Sequence, residues 1–229
     1  MGLDWEAMLN TVDLFPEAVL TTFQITTLGI LLGLILGLIT AIMRISSLKI
    51  FNYPARIYIF IVRGTPILLQ LFIIYYGLGM GLNINIAAFP SAVIALGIHN
   101  GAYIGEIFRG TIQSISDGQM EAARSIGMTY PMAMKRIILP QAFKRAVPPL
   151  GNQFIIALKD SSLASTITVH EILLTARQQG SSQYLYMEML ILAGIFYLMI
   201  TTLFTVLVNY TEKKLNRENN GQPEAVENA

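Results

Sequence analysis

Residues 118–140 read GQMEAARSIGMTYPMAMKRIILP, a polar stretch that lies between apolar ones. The spacing within it is E-A-A-x3-G-x9-I-x-L-P without a gap. Good helix formers run from Glu121 to Ile126, Gly127 suits the left-handed position after a helix, and Pro131 suits the first turn of a second helix. The stretch therefore predicts two short helices that meet at Gly127 and form a compact loop facing water.

The composition places the rest of the chain in a membrane. Of the 229 residues, 54% are hydrophobic and only 13% are charged, and the mean hydropathy of +0.57 is too high for an ordinary soluble domain. The net charge of +1 argues against nucleic acid as a partner. No Lys or Arg precedes Arg44, so the N-terminus lacks the basic region of a cleaved signal peptide, and we expect the first span to be retained.

The sequence also excludes several kinds of site. It has no cysteine, which excludes disulfides, thiol catalysis and Cys-ligated metals. His99 and His170 lie far apart and form no metal-ligand pair. No G-x-x-x-x-G-K-[ST] phosphate loop occurs, because Gly77, Gly79 and Gly81 lack the lysine. We therefore predict no catalytic residue, no metal site and no cofactor in this chain.

Five stretches have the length that a membrane helix needs, since a hydrocarbon core about 30 Å thick takes roughly 20 apolar residues. They are residues 20–43, 57–80, 89–109, 147–169 and 187–210. We expect Arg63-Gly64-Thr65-Pro66 to break the second, so that residues 52–63 lie at the interface and the span runs from Pro66 to Met80. The predicted fold is an all-α membrane protein with about five transmembrane helices.

Loop charges predict the orientation, because Lys and Arg accumulate on the cytoplasmic side. Basic residues gather between spans one and two, between spans three and four, and after span five, whereas the opposite side has Arg177 alone. The N-terminus is therefore expected outside and the C-terminus inside. This divides the chain into an extracytoplasmic segment (1–19), a membrane domain (20–210) with a cytoplasmic loop at about 117–140, and a polar, flexible cytoplasmic tail (211–229).

The loop motif resembles the cytoplasmic loop of permease subunits in bacterial ATP-binding-cassette (ABC) importers. Three long runs, at residues 63–79, 101–128 and 139–163, resemble permeases for polar amino acids, a subgroup of the type I importers. They read RGTPILLQLFIIYYGLG, GAYIGEIFRGTIQSISDGQMEAARSIGM and LPQAFKRAVPPLGNQFIIALKDSSL. The resemblance extends over most of the chain, from about Thr21 to Arg217.

This resemblance implies a type I ABC transmembrane fold in the bacterial cytoplasmic membrane, with several passes. It implies a dimer with a second permease, identical or merely similar, and a binding protein that delivers a polar amino acid from outside. Two cytoplasmic ATPases would hold the ATP and Mg²⁺, so the chain itself is not an enzyme. Carriers of arginine, histidine, glutamine, glutamate and cystine would share this scaffold.

The coupling loop supplies the first set of candidate residues, those expected to contact the ATPase. They are Gly118, Gln119, Glu121, Ala122, Ala123 and Gly127. Among them we expect Glu121 to make the contact and Gly127 to set the angle between the two short helices. The alternative is an ordinary amphipathic hairpin, which the complete spacing disfavours.

The second set of candidates is polar residues at membrane depth, which normally face the bundle or a cavity. The expected substrate path contains Gln70, Asn100, Tyr103, Glu106, Asp160, Ser161 and Ser162. Asn100, Tyr103 and Glu106 recur at spacings of three and are expected on one face of the third span. The alternative for Glu106 is an ion pair with Arg109.

Asp160 and its neighbours form the polar part of the fourth span. Lys159 and Asp160 lie near the centre of that span and, being adjacent, cannot face one another on a helix. We expect Asp160, with Ser161 and Ser162, to receive the substrate ammonium group. The alternative is an internal ion pair that holds spans three and four together.

Two further features have structural interpretations. Gly29, Gly33 and Gly37, with Ala41, recur every four residues on span one, and we expect close helix contact within the subunit. His99 is expected to be a packed, hydrogen-bonded side chain, since a lone His makes no proton relay.

Two other functions remain open at this level. An ion-coupled secondary transporter would use Glu106 and Asp160 as ion or proton sites, although the chain lacks the internal repeat of many such carriers. A membrane anchor would bind a cytoplasmic partner through the loop and transport nothing.

Overall fold

The computed structural model describes residues 3–220, with side chains to Leu215, and no strand occurs in this part of the chain. The described residues form eleven α-helices. They are α1 (Trp5–Thr11), α2 (Phe15–Ile45), α3 (Lys49–Gly64), α4 (Ile67–Phe72), α5 (Leu78–Leu82), α6 (Ala88–Gln113), α7 (Asp117–Ser125), α8 (Tyr130–Ala133), α9 (Leu139–Asp160), α10 (Ile172–Gln183) and α11 (Tyr186–Asn220).

Short non-α turns join several of these helices. A 3₁₀ turn, Val12–Leu14, connects α1 to α2, and another, Ser161–Ile167, follows α9. Two π-helical turns, Ile73–Gly77 and Met134–Ile138, lie between α4 and α5 and between α8 and α9. The α-helical part of the predicted fourth span thus ends at Asp160. Lys159 and Asp160 therefore lie at the end of an α-helix, and Lys159 suits the negative end of its helix dipole.

The hydrophobic helices identify a membrane protein. Two helical segments, Trp5–Ile45 and Tyr186–Leu215, are long and apolar enough to cross a bilayer. A third qualifies if Lys49–Gly64 and Ile67–Leu82, which meet at 105°, form one broken span. The break falls at Thr65 and Pro66, within the Arg63–Pro66 sequence that predicts it, because Pro66 has no N–H for the helix.

The C-terminal helix is longer than the predicted membrane domain. α11 continues past residue 210 to Asn220, so the first ten residues of the predicted flexible tail are helical. The remainder of that tail, residues 221–229, lies outside the described residues, as do residues 1–2 of the predicted N-terminal segment.

Glycines allow α2 and α6 to pack closely. A Cβ on Gly33 would lie 3.2 Å from Asn100 Cβ, and one on Gly37 would lie 2.6 Å from Ile104 Cγ2. The predicted glycine stripe therefore makes its contact inside the chain. Its counterpart on α6, which sequence reasoning missed, consists of Gly97, Gly101 and Gly105 facing side chains of α2.

The N-terminal end of α2 packs against α10 and α11. Phe15 stacks on Phe196 with ring centroids 4.8 Å apart, and both lie against buried Ile172 and Met189. This cluster fixes the helix that follows the Ser161–Ile167 turn onto the bundle.

Candidate functional site

The polar loop forms a bent pair of short helices, which we call the coupling elbow (residues 117–133, α7 and α8). Gly127 follows α7 with a positive φ of 87°. Its N–H bonds to the Arg124 carbonyl at 3.0 Å, and the Met128 N–H bonds to the Ala123 carbonyl at 3.1 Å. These two bonds make a Schellman cap, which confirms the predicted role of Gly127 at the end of a helix. Pro131 occupies the first turn of α8, also as predicted.

The elbow has a packed inner face and an exposed outer face. Ala123 is buried, and Met120 packs on the cluster of Ile115, Ile138 and Ala142 beneath it. Below the elbow, the Arg145 guanidinium links α9 to the end of α6 by donating to the Ser114 carbonyl at 2.6 Å. Tertiary packing thus supports the elbow from one side only.

The outer face carries most of the predicted coupling residues. Gly118, Gln119, Glu121, Ala122 and Gly127 are exposed, whereas Ala123 faces inward. Beside them Ile126 is 78% exposed and Tyr130 is 50% exposed, although both are large and apolar. The sequence analysis did not select these two residues. The feature that could have identified them is an apolar side chain on each side of the glycine cap in an otherwise polar loop. Such exposed apolar side chains around a charge are typical of a protein contact surface.

The broken second span brings together Gln70, His99 and Tyr103. Gln70 Nε2 donates to the Val62 carbonyl at 2.8 Å and lies 3.2 Å from the Thr65 carbonyl. These carbonyls lack helical partners because the helix stops at Pro66, so Gln70 satisfies the break. Gln70 therefore belongs to the break between α3 and α4, and its side chain does not project freely into a substrate path.

His99 and Tyr103 complete this polar cluster on α6. His99 Nδ1 lies 3.2 Å from Gln70 Oε1, which fits the prediction of a packed, hydrogen-bonded histidine. The His99 and Tyr103 rings have centroids 5.1 Å apart, and the Arg63 guanidinium lies 5.0 Å above the Tyr103 ring. The sequence analysis placed Arg63 at the break of the second span but did not pair it with Tyr103, because that contact joins α3 to α6.

Asn100 lies in the interior between α6 and α9. It is fully buried, donates to the Leu96 carbonyl at 2.7 Å and accepts from Gln153 Nε2 at 2.8 Å. The amide nitrogen and the amide oxygen of Asn100 each have a partner within the chain. In this structure Asn100 joins two helices and does not line a surface.

Glu106 forms a two-sided ion pair. Arg109 donates to its carboxylate from Nε at 3.0 Å and from Nη2 at 2.8 Å, and Arg44 Nε lies 3.5 Å away on α2. The structure thus contains the predicted alternative for Glu106, with Arg44 as an additional partner. A bidentate guanidinium contact of this kind favours the charged carboxylate and fixes its position.

The three polar residues of α6 are not brought to one face. Residues spaced by three drift about 60° per step around a helix of 3.6 residues per turn, so two steps separate them by about 120°. Asn100 accordingly points to α9, Tyr103 to α3, and Glu106 to α2.

Asp160 ends α9 in a half-buried position. Within the described residues its carboxylate accepts no hydrogen bond and forms no ion pair, so the predicted alternative of an internal pair is not seen there. Ser161 is buried and donates to the Leu158 carbonyl, and Ser162 donates to the Lys159 carbonyl, each at 2.7 Å. Of this trio, Asp160 and Ser162 keep exposed surface.

A buried carboxylate, Glu171, also escaped the sequence analysis. It caps α10 by accepting from the Leu174 N–H at 2.8 Å, and it accepts a hydrogen bond from the Tyr197 hydroxyl at 2.5 Å. Burial raises the pKa of this carboxyl, and the hydrogen bond from Tyr197 lowers it in part. Glu171 therefore anchors α10 to α11. Among the described residues, no group of three or more acidic or histidine side chains could hold a metal ion.

Comparison with known proteins agrees with this architecture. The family of "Binding-protein-dependent transport system inner membrane component" proteins matches residues 29–217. The arginine transport system permease protein ArtQ of Bacillus subtilis is 36% identical over 94% of this chain and 98% of its own length. The glutamine transport system permease protein GlnP of Escherichia coli is 35% identical over 94% of this chain and 99% of its own length.

A solved structure matches the whole bundle. The crystal structure of an amino acid ABC transporter with histidines contains a chain that is 40% identical to the present one, with a TM-score of 0.90. The match covers 93% of the present chain and 100% of that chain. The residues that the family model matches, 29–217, include both the coupling elbow and the broken second span. The resemblance seen in the sequence is thus confirmed, and the chain belongs to the family of binding-protein-dependent transport system inner membrane components, the permeases of ABC transporters.

Proposed function

We propose that this chain is the membrane-spanning permease subunit of an ATP-driven importer for a polar L-amino acid. The observation that carries this proposal is the coupling elbow, in which the complete motif presents Glu121 and Ile126 on an exposed face over a packed base. The substrate class follows from the relatives, whose names give arginine and glutamine. A polar amino acid also suits the unpaired polar groups at Asp160 and Tyr103.

The proposed topology has five spans in a bacterial cytoplasmic membrane, with the N-terminus outside and the C-terminus inside. α2, the α3–α5 segment, α6, α9 and α11 would be the spans. α6 has 26 residues and α9 has 22, which gives about 39 Å and 33 Å of helix, enough for a bilayer. Both helices carry polar side chains. In α6, Ser91 and Asn100 are buried and Glu106 is paired with Arg44 and Arg109, so lipid need not solvate them.

The elbow is the proposed site of energy transfer. On the cytoplasmic side it would dock on an ATPase subunit, and a pair of such ATPases would bind ATP and Mg²⁺. Motion of the ATPases would be transmitted to α9 through the π-helical turn Met134–Ile138 and through the Arg145–Ser114 contact. A second permease, identical or similar, and an extracytoplasmic binding protein would complete the importer.

The proposed substrate contact is Asp160, with Ser162 beside it. An amino-acid ammonium group would supply the ion-pair partner that the Asp160 carboxylate lacks among the described residues. Tyr103 also keeps exposed surface, as do Gln70 and Glu106. Gln70, Asn100, Glu106 and Ser161 would support the path from behind, because their polar atoms already have partners.

Reconstitution tests the proposal directly. The permease, its ATPase and its binding protein would be placed in proteoliposomes, and uptake of labelled L-arginine, L-glutamine and L-cystine would be measured with and without enclosed ATP. We expect uptake of one of these amino acids that requires ATP and persists after ion gradients are dissipated. Uptake without ATP that collapses with the gradient would indicate an ion-coupled carrier instead, and ATPase binding with no flux would indicate an anchor.

A further inference from the structure

Lys49 and Arg56 form a basic stripe on α3, the helix that precedes the break of the second span. They are seven residues apart, so on a helix of 3.6 residues per turn their directions differ by only about 20°. Both are exposed, and within residues 3–215 neither forms an ion pair. The chain has no Asp or Glu between Glu17 and Glu106, and Glu106 is already paired with two other arginines. The described part of the chain therefore supplies no counter-charge to the stripe.

An exposed apolar face lies beside the basic stripe. Phe60, one turn after Arg56, is 79% exposed, and Tyr53, Ile57 and Ile61 are exposed as well. A helix surrounded by water does not normally expose so many large apolar side chains. A helix that lies in a membrane interface does so, with its apolar side chains among the acyl chains and its Lys and Arg at the head groups.

The remaining side of α3 holds the helix against the bundle. Ala55 on this side is buried. Asn52 Nδ2 donates to the Arg44 carbonyl at 2.6 Å, which joins the start of α3 to the end of α2. The Tyr58 hydroxyl donates to the Ile98 carbonyl of α6, also at 2.6 Å. These contacts fix the rotation of α3, so the basic stripe and the apolar face point away from the bundle.

The break of the second span sets the direction of α3. The helix is bent by 105° relative to the Ile67–Leu82 segment that follows it. When that segment crosses the bilayer, as in the proposed topology, α3 runs closer to the membrane plane than to the membrane normal. Lys49 is its first residue and comes just after the cytoplasmic end of α2. The stripe therefore starts at the cytoplasmic surface, whereas Arg63, at the other end of α3, is turned to the Tyr103 ring.

We propose that Lys49 and Arg56 bind the phosphate groups of anionic phospholipids in the cytoplasmic leaflet, with Phe60 and its apolar neighbours among the acyl chains. The inference goes beyond the proposed function but rests on its topology, which puts α3 on the cytoplasmic side. Charge complementarity selects this class of lipid, because two exposed cations beside an apolar face match a negative head group above an acyl chain.

A second copy of this chain matches the stripe less well. Among the side chains described on the proposed cytoplasmic side, Glu106 is paired, and Asp117 and Glu121 lie on the coupling elbow that is proposed to face the ATPase. Glu212 lies near the end of α11, next to two lysines. A protein that covers α3 is nevertheless a separate outcome of the experiment below.

The experiment uses a tryptophan on α3 to report the lipid beside it. The single tryptophan of the chain is removed by Trp5→Phe, and Phe60→Trp adds the reporter one turn from Arg56. The full permease–ATPase complex is placed in phosphatidylcholine nanodiscs with a rising fraction of brominated lipid, either phosphatidylglycerol or phosphatidylcholine. Bromine quenches a nearby tryptophan, and the signal of the complex with Trp5→Phe alone is subtracted. Brominated phosphatidylglycerol is expected to quench at a mole fraction about fivefold or more lower than brominated phosphatidylcholine, since each basic residue at the surface contributes about fivefold.

The double variant Lys49→Gln, Arg56→Gln is expected to quench equally with both lipids. Its matched control is Lys213→Gln, Lys214→Gln, which removes two exposed basic residues of α11 and should keep the preference. A control reporter, Leu203→Trp, lies at an exposed apolar position of α11 and should be quenched alike by both lipids.

Salt gives a second measurement, which needs no charge variant to assemble. At about 1 M KCl the Debye length is about 3 Å, so the preference of the Phe60→Trp reporter for phosphatidylglycerol should fall towards equal quenching. A preference that is unchanged by salt would contradict binding through the two cations.

Three further results would overturn the inference. Equal quenching by both lipids with the basic stripe intact would show that α3 meets lipid without selecting its charge. No quenching by either lipid would show that a second permease or the ATPase covers α3. A preference that survives the double variant would belong to other residues. ATP-driven uptake by the same complex in proteoliposomes tests the proposed function separately: uptake without a lipid preference leaves that function standing while this inference fails, and absence of uptake contradicts the proposed function.

Discussion

Gln153 donates a hydrogen bond to Asn100 at 2.8 Å in the interior between α9 and α6. Asn100 has no exposed surface and Gln153 is 7% exposed, so water cannot replace either partner. The pair joins the helix that follows the coupling elbow to the helix that precedes it. It is therefore a direct polar link between the two sides of the elbow.

The first prediction concerns this pair. Asn100→Leu should lower the stability of the permease by about 1–3 kcal/mol, because it leaves the Gln153 amide buried without its acceptor. The measurement is thermal unfolding of the purified permease in detergent. The double variant Asn100→Leu, Gln153→Leu should be less destabilised than the sum of the single variants, and simple additivity would show that the two amides do not interact.

The glycine contact between α2 and α6 gives a second prediction. A Cβ on Gly37 would lie 2.6 Å from Ile104 Cγ2 and 3.0 Å from the Gly105 backbone nitrogen, so the helices must move apart. Gly37→Ala is expected to destabilise by about 1–3 kcal/mol in the same unfolding assay. Gly194→Ala is the control, since a Cβ there meets no atom within 4 Å. Equal melting temperatures for the two variants would contradict close packing.

The cap of α7 gives a third prediction. Gly127→Ala should strain the elbow by about 1–2 kcal/mol, because its φ of 87° is unfavourable for a residue with a Cβ while the space around it is open. Gly127→Asn should be tolerated better, since Asn visits the left-handed region more readily. The readout is binding of the permease to its ATPase. Gly110→Ala, which also meets open space but needs no positive φ, should bind normally.

Charge reversal at Glu121 is the fourth prediction. Glu121 is exposed, so Glu121→Lys should leave the permease folded but weaken its binding to the ATPase by about tenfold or more and abolish coupled uptake. The measurements are co-purification with the ATPase and ATP-driven uptake. Glu212→Lys reverses another exposed charge, near the end of α11, and should have no such effect. Wild-type uptake by the Glu121 variant would contradict the docking role.

The substrate contact at Asp160 is the fifth prediction. Asp160→Asn removes the charge that would face the ammonium group and should weaken the apparent affinity for the amino acid by about tenfold or more. Substrate-dependent uptake and ATP hydrolysis measure the effect. Asp13→Asn, an exposed position before α2, is the control. An unchanged KM in the Asp160 variant would remove Asp160 from the site.

The coupling elbow was predictable because its shape depends on neighbours in sequence. A left-handed cap after Glu121–Ile126 and a proline in the first turn of the next helix are local effects, and both occur where the residues place them. The break at Thr65–Pro66 was predictable for the same reason, since Pro66 lacks the helical donor. The packing of Ala123 and the exposure of Ile126 depend on α9 and were not predictable.

The polar residues of the membrane helices show the opposite case. Their types and positions indicated a buried polar face, but a linear pattern does not name partners on helices far away in sequence. Asn100 meets Gln153, Glu106 meets Arg44, and Arg63 meets Tyr103 across separations of 40 to 62 residues. The end of α9 at Asp160 was missed too, because the turn that follows is stabilised by packing on α4.

Two levels of organisation therefore have different physical origins. Apolar length, the proline break and the glycine cap act over one or two turns, so the chain alone specifies its helices, its loop motif and its family. The pairing of each buried charge and amide depends on which helix faces cross, and the glycines of α2 and α6 set that by allowing close approach. Which charges form no ion pair among the described residues, Asp160 among them, is thus a property of the folded bundle.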